Sequence, residues 1–328
     1  MTTLRTPAQR RPLVFLCALL IAVAAAGAAF ACPIPVFQYS LEYWEPDHYQ
    51  ITIYHSGELS GADKEAAESL TAAASDEKKP SNIMLQFVDL ATRDIEAGAD
   101  YEALPHVELR YPAAAASRKP VWSGKLTPDT VKTLLDSPAR QKIATLLLAR
   151  KSAVWLLLES GDREKDDAAA NLLEQEITRL EKTLVLPDPA AFGWGGSKDI
   201  LAPIAFAMMR VRRDDPAEAV FVRMLLASEP DLVEFHGEPI VFPIYGRGLI
   251  LYALIGRGIN EWTIAQAAEF LTAPCSCQVK ALNPGLDILM RVNWNGEVVK
   301  LSREAIQGPV GAAGFIERMQ EAEEKLKE

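Results

Sequence analysis

The sequence predicts an α/β protein in which strands and helices alternate along the chain. Short β-branched or aromatic runs, such as 50–54, are followed by Ala-, Glu- and Leu-rich stretches with helical periodicity. The run Ala153–Glu159 is apolar almost throughout, which is typical of a strand covered on both faces. The 328 residues are 49% hydrophobic and 24% charged. This composition excludes a disordered chain, a polytopic membrane protein and a disulfide-dense miniprotein.

Residues 1–31 have the pattern of a cleaved export signal. The basic region has three arginines and no acidic residue: Arg5, Arg10 and Arg11. An apolar run follows from Leu13 to Phe30, and Ala29 and Ala31 supply the small residues that signal peptidase requires. The alternative is a permanent transmembrane anchor, but the run is Ala-rich and near the lower length limit for a span. We therefore expect an exported protein of the periplasm or cell envelope.

Cys32 is the first residue after the expected cleavage site. A cysteine at this position can be lipid-modified in bacteria, but the bulky Phe30 does not fit the usual lipoprotein pattern. We expect plain cleavage before an unmodified Cys32, and lipid attachment is the alternative. A membrane tether is therefore expected only through this residue.

The net charge of the chain limits the classes of molecule that it is expected to bind. Removal of the signal changes the net charge from −10 to −13, and no basic stripe remains. An acidic surface of this kind argues against nucleic acid and anionic membranes as binding partners.

The chain after the signal divides into four predicted regions. Residues 32–49 form an N-terminal packing segment with a short helix around Phe37–Trp44, and residues 50–150 form a first α/β unit. Its strands and helices are predicted at 50–54, 62–75, 83–90, 106–111, 120–122 and from Thr127 onward, with a bend at Ser137-Pro138. The stretch 91–102 has only a weak helical pattern.

Residues 151–273 form the second unit. Its strands are predicted at 153–159, 204–211, 240–245 and 249–255, and its helices at 163–184, from Pro216, and at 260–272. The last region, 274–328, contains the sequence Cys275-Ser276-Cys277, a β-hairpin turning at Asn295-Gly296, and a charged helix over 314–328.

The element order of the second unit is β-α-β-α-β-β-α. The first unit has the same order, but its middle helix, at 91–102, is only weakly predicted. This order resembles two tandem thioredoxin-like domains. Pro105 and Pro239 each precede a third strand, where that fold places its cis-proline, and the first strands end at Ser56-Gly57 and Ser160-Gly161. Another α/β arrangement is the alternative. Residues 31–37 and 274–280 also resemble a family of uncharacterised exported bacterial proteins, which implies no activity.

The resemblance implies where chemistry should occur. Thioredoxins carry a Cys-x-x-Cys motif at the start of the first helix, where the helix dipole stabilises a thiolate. The matching positions here begin at Ser56-Gly57 and Ser160-Gly161 and contain no cysteine. We therefore expect a non-catalytic protein without a cofactor, which binds a protein or peptide partner in the envelope.

The cysteines support an alternative function. Cys275 and Cys277 would be catalytic in a thiol–disulfide oxidoreductase or would carry a soft metal ion, with Cys32 as a third thiol. They could equally be buried thiols or a structural disulfide, and Cys32 could bridge to one of them. The four histidines lack metal-ligand spacing: His48, His55, His106 and His236. His55 or His106 paired with Ser56 is a further geometric option, without a nucleophile elbow to support it.

Overall fold

The computed structural model describes residues 32–92, 103–113, 119–192, 201–275 and 279–307. The predicted signal peptide, the weak helix at 91–102 beyond residue 92, and the charged helix at 314–328 lie outside this part of the chain. The fold is mixed α/β, as the sequence predicts. Within the described ranges, every helix is too short or too polar to cross a lipid bilayer.

The N-terminal packing segment consists of a short strand and a helix. Strand β1 (Cys32–Pro35) leads directly into helix α1 (Val36–Tyr43). Val36, Phe37 and Trp44 are each less than 5% exposed and pack into the core of the second sheet. These side chains pack the start of the described chain against the body of the protein.

The first sheet has four strands: β2 (Tyr49–His55), β3 (Ile83–Asp89), β4 (His106–Arg110) and β5 (Trp122–Lys125). Their order across the sheet is β3-β2-β4-β5. Strand β3 is parallel to β2, β4 is antiparallel to β2, and β5 is antiparallel to β4. The parallel pair needs a crossover, which helix α2 (Gly61–Ser75) supplies.

Two helices follow the first sheet where the sequence predicts one bent helix. Helix α3 (Pro128–Leu135) and helix α4 (Pro138–Leu148) each have proline in the first turn. The Thr127 side chain accepts a hydrogen bond from the Thr130 N–H, and the Ser137 side chain accepts one from the Arg140 N–H. Proline cannot continue a helix, so a new N-cap replaces the bend.

The second sheet is built on β6 (Ala153–Glu159). The elements that follow it along the chain are α5 (Arg163–Thr183), β7 (Phe206–Arg212), α6 (Ala219–Leu226), β8 (Ile240–Tyr245), β9 (Leu249–Ile250), β10 (Leu254–Ile255), α7 (Glu261–Thr272), β11 (Pro274–Cys275) and β12 (Leu286–Asp287). The strand order of the sheet is β12-β9-β8-β6-β7. Strand β7 is parallel to β6, β8 is antiparallel to β6, and the short β10 also pairs with β8. The single strand predicted at 249–255 is thus two short strands.

Strand β6 is covered on both faces, as its continuous apolar run predicts. Trp155 and Leu157 face a core formed with α1, α5 and α7. Leu156 and Leu158 face a second core, which α6 shares with α3, α4 and the first sheet. One continuous apolar core therefore joins the two sheets.

The predicted hairpin around Asn295-Gly296 is wrong. Helix α8 (Trp294–Gln307) occupies this position. The Asn293 side chain accepts a hydrogen bond from the Gly296 N–H at 2.9 Å, so the Asn-Gly pair lies in the first turn of a capped helix. The preceding residues Ile288 and Leu289 are fully buried in the shared core. The backbone of this segment is bonded elsewhere, since the Ile288 N–H donates to the Gly248 carbonyl and the Met290 carbonyl accepts from the Asn82 N–H.

The two predicted cis-proline positions differ. The Leu104–Pro105 peptide bond is cis, and among the described residues it is the only cis bond. The Glu238–Pro239 bond is therefore trans, which corrects the expectation for Pro239. Beside this bond, the Glu238 carbonyl accepts a hydrogen bond from Arg213 Nη2 at 2.7 Å, and the Pro239 carbonyl accepts one from the Gly256 N–H at 2.9 Å.

Candidate functional site

Three chain segments meet where β2 ends. His55 is the Cα partner of Asp89 on β3, and Tyr54 is the Cα partner of His106 on β4. Pro105 precedes His106, so it lies beside His55 at the same end of the sheet. The turn after β2 and the loop before β4 therefore adjoin, as the resemblance implies. We call the segments 55–57 and 104–105 the first-turn site.

Hydrogen bonds from the chain itself hold this turn. Asp89 Oδ1 accepts from the Gly57 N–H at 3.0 Å and from the Ala91 N–H at 2.9 Å, and these two bonds hold the pKa of Asp89 below its ordinary value. Gly57 has φ of +72°, a conformation that residues with a Cβ rarely adopt. His55 Nδ1 lies 2.7 Å from the Gly57 carbonyl oxygen, so this nitrogen donates.

Large apolar side chains flank the first-turn site. Phe87, on edge strand β3, is 44% exposed, and Leu104 is 38% exposed. The rings of His55 and Phe87 meet edge to face, with 6.4 Å between their centroids. Helix α2 begins nearby, and Ser60 at its N-cap makes no side-chain hydrogen bond to the helix. Such a site offers apolar contacts to an extended ligand.

The first-turn site does not bring a histidine to Ser56 as a nucleophile–base pair. The Nδ1 atom of His55 is engaged with the Gly57 carbonyl. His106 shares a sheet face with Tyr54, since the two are cross-strand partners. Serine hydrolysis needs a base in direct hydrogen-bond contact with the hydroxyl, and the His55 contact does not supply it.

The corresponding turn of the second sheet is occupied by the chain's own carboxylates. Asp166 is 3% exposed; its Oδ1 accepts from the Ser160 N–H and hydroxyl, both at 2.8 Å, and its Oδ2 accepts from the Gly161 N–H at 3.0 Å. Asp162 caps helix α5 by accepting from the Glu164 and Lys165 N–H groups. Carboxylates at a helix N-terminus are stabilised by its dipole. Side chains therefore use the donors that a thiolate or a ligand would need.

Cys275 lies at neither turn. It belongs to β11, directly after helix α7, and is fully buried in the core formed with α1 and α7. The C-terminal end of a helix disfavours a thiolate, and burial among apolar groups disfavours it further. Cys32 is the Cα partner of Cys275 in the β1–β11 ladder, and Cys277 lies outside the described residues. A redox function at Cys275 and Cys277 stays an untested alternative.

The structure contains a buried charged cluster that the sequence analysis does not predict. Asp287 is 2% exposed, and its Oδ2 accepts hydrogen bonds from Lys280 Nζ and from the Asp47 N–H. Lys280 Nζ also lies 3.3 Å from Asp47 Oδ1. Burial raises the pKa of Asp287 to about 6, although Lys280 opposes the shift. The cluster joins the loop before β2 to strand β12, and no sequence motif marks it because Asp47 and Asp287 are 240 residues apart.

Metal-binding geometry is not found in the part of the chain that the structure describes. No group of three or more His, Cys, Asp or Glu side chains there is close enough to hold a metal ion. The soft-metal alternative involves Cys277 and is not tested by this finding.

No family model matches the chain, and no curated protein matches it either. The function must therefore be argued from the geometry of the site.

Proposed function

We propose that this protein is an exported, non-catalytic adaptor of two tandem thioredoxin-like units, which binds an extended segment of an envelope protein or peptide. The binding position is the first-turn site. The observation that carries the proposal is the contrast between the two turns. One is flanked by exposed Phe87 and Leu104, whereas Asp166 occupies the donors of the other.

The strand order supports the thioredoxin-like part of the proposal. The orders β3-β2-β4-β5 and β7-β6-β8-β9 are equivalent, with one parallel pair and two antiparallel pairs in each. A crossover helix joins the parallel strands in both sheets: α2 in the first and α5 in the second. Two sheets of the same topology in one chain are the pattern expected of a tandem repeat of one unit.

The ligand class follows from the chemistry of the first-turn site. Phe87 and Leu104 offer apolar contact at two separate strand ends, and β3, which carries Phe87, is an edge strand of its sheet. An extended peptide with apolar side chains matches this arrangement, because its backbone can pair with edge strand β3 while its side chains reach the two apolar groups. Thiol chemistry is not needed for this function.

Site-specific photo-crosslinking tests the proposal. A benzoylphenylalanine placed at Phe87 or at Leu104 in the exported protein should crosslink to the same envelope protein in intact cells. The matched controls are Val185 and Trp262, which are 84% and 71% exposed and lie away from the site. The purified partner should then bind the Phe87→Ser, Leu104→Ser double variant at least about tenfold more weakly, because the two lost apolar contacts together are worth at least ~1.4 kcal/mol.

Two results would contradict the proposal. One is equal crosslinking at the site and at the control positions, which would indicate non-specific contact. The other is unchanged partner affinity in the double variant when its far-UV circular dichroism and unfolding midpoint match the wild type.

A further inference from the structure

The short β1–β11 ladder places two cysteines opposite each other. Cys32 and Cys275 are Cα partners in this antiparallel pair, and the next matched pair is Pro35 with Pro274 across a local register shift. The Val36 N–H donates to the Ala273 carbonyl at 3.0 Å and continues the pairing. Residues 243 positions apart in the sequence thus meet at one rung.

The spacing at such a rung suits a disulfide. Directly opposed residues in antiparallel strands have Cα atoms about 4.5 or about 5.5 Å apart, depending on whether they form the non-hydrogen-bonded or the hydrogen-bonded pair. Disulfide-bonded cysteines have Cα atoms roughly 4.4–6.8 Å apart. Both kinds of rung fall within this range, so the Cα spacing expected of the pair is compatible with a bridge.

The residues after Cys32 do not provide a tether. Pro33, Ile34 and Pro35 are buried, and α1 begins at the next residue with Val36 and Phe37 each 3% exposed. A lipid-modified cysteine has to place its acyl chains in a membrane, which requires flexible chain between the lipid and the folded body. Here the body begins one residue after the cysteine, and Cys275 opposite it is fully buried.

We infer that Cys32 and Cys275 form a disulfide that fastens β1 to β11, and that Cys32 of the mature protein therefore carries no lipid. Both sulfur atoms lose a proton, and the two electrons pass to a protein disulfide of the envelope, which is reduced to a dithiol. The exchange proceeds through a mixed disulfide on one of the two cysteines before Cys275 is buried by folding. Cys277 is left outside the bridge.

Mass spectrometry of the exported wild-type protein tests this inference. The protein is alkylated without reductant, digested and sequenced by fragmentation. We expect one linked species that joins the peptide starting at Cys32 to the peptide containing Cys275, with alkylated Cys277. The link should disappear after reduction, and Cys32 should show no diacylglyceryl mass.

Matched variants complete the experiment. Cys277→Ser should keep the link and the thermal midpoint, whereas Cys32→Ser and Cys275→Ser should each lose the link and lower the midpoint by a similar amount. Four results would overturn the inference: a Cys275–Cys277 bridge, a Cys32–Cys277 bridge in the wild type, alkylation of all three thiols, or an acylated Cys32. None of them depends on peptide binding at the first-turn site.

Discussion

The carboxylate of Asp287 is almost fully buried, and only one of its oxygens has a partner. Oδ2 accepts from the Asp47 N–H at 3.0 Å and from Lys280, whereas Oδ1 is buried without a hydrogen bond. A buried carboxylate that is only partly satisfied favours its neutral form, which raises the pKa to about 6. The ordinary carboxyl pKa in an unfolded chain is about 3.9.

This shift has a definite effect on stability. Because the pKa is higher in the folded state, folded protein binds more protons than unfolded protein between about pH 4 and pH 6. The contribution of Asp287 is therefore fully present below about pH 4 and is lost as the pH rises through 6. A difference of two pKa units corresponds to about 3 kcal/mol.

We predict that Asp287→Asn removes this pH dependence. The side-chain amide stays neutral and its oxygen can still accept from the Asp47 N–H. The free energy of unfolding of the variant, minus that of the wild type, should increase by about 3 kcal/mol between pH 4 and pH 7. Urea unfolding at several pH values measures this difference.

The control for Asp287→Asn is Glu174→Gln, which neutralises an exposed acid on helix α5. Its stability difference from wild type should be nearly constant over the same pH range. Parallel pH curves for Asp287→Asn and wild type would contradict the assignment of a raised pKa to Asp287.

At the scale of elements, helix starts determine where the chain turns. Arg140 in the first turn of α4 is 1% exposed, and its guanidinium donates to the Leu134, Leu289 and Thr133 carbonyls. Burial lowers its pKa to about 10, so it stays charged at neutral pH. It joins the α3–α4 break to the buried segment before α8, and the break is therefore part of the tertiary structure rather than a local irregularity.

Helix α8 depends on its cap in the same way. Asn293 Oδ1 accepts from the Gly296 N–H, and Asn293 Nδ2 donates to the Glu77 carbonyl at 2.9 Å. We predict that Asn293→Ala lowers the free energy of unfolding by about 1–2 kcal/mol, because both bonds are lost. Chemical denaturation measures the change.

Asn293→Asp separates the two bonds. Aspartate retains the acceptor for the Gly296 N–H but has no donor for the Glu77 carbonyl. The free energy of unfolding of Asn293→Asp should therefore lie between those of the wild type and Asn293→Ala. If Asn293→Ala were as stable as the wild type, the cap would not be what determines a helix at this position.

The whole molecule is held by contacts between its two sheets. The Tyr111 hydroxyl, at the end of the first sheet, donates to the Met224 carbonyl on α6. The Ala139 N–H of α4 donates to the buried Glu218 Oε1 at 2.7 Å. Because side chains from both sheets belong to one apolar core, neither sheet can lose its packing alone.

We predict one cooperative unfolding transition for the described body. In native-state hydrogen exchange with added urea, amides of β2 and β4 should lose protection at the same urea concentration as amides of β6 and β8. Tyr111→Phe should lower the midpoint for both sets together, by about 1 kcal/mol of stability. Separate transitions for the two sheets would contradict this, and a shift confined to β2 and β4 would show that Tyr111 acts within the first sheet only.

Secondary structure could be predicted from the sequence wherever a proline, a glycine or an N-cap residue marks the start or end of a periodic apolar pattern. Strand β6 and helix α3 are examples, since the continuous run of Ala153–Glu159 and the Thr127-Pro128 start are both local signals. The hairpin prediction failed because the pair Asn295-Gly296 fits either a hairpin turn or the first turn of a capped helix. The apolar run before it is drawn into the core by distant residues.

The candidate site could be predicted only in part. The sequence alone indicates two turns without cysteine and the chain order that brings Pro105 beside one of them. It does not reveal that Asp166 fills one turn, that Phe87 stays exposed beside the other, or that Cys32 meets Cys275, because burial and partners depend on residues far apart in the chain. Local patterns therefore determined the order of the elements, and long-range packing alone decided which turn has exposed apolar side chains beside it.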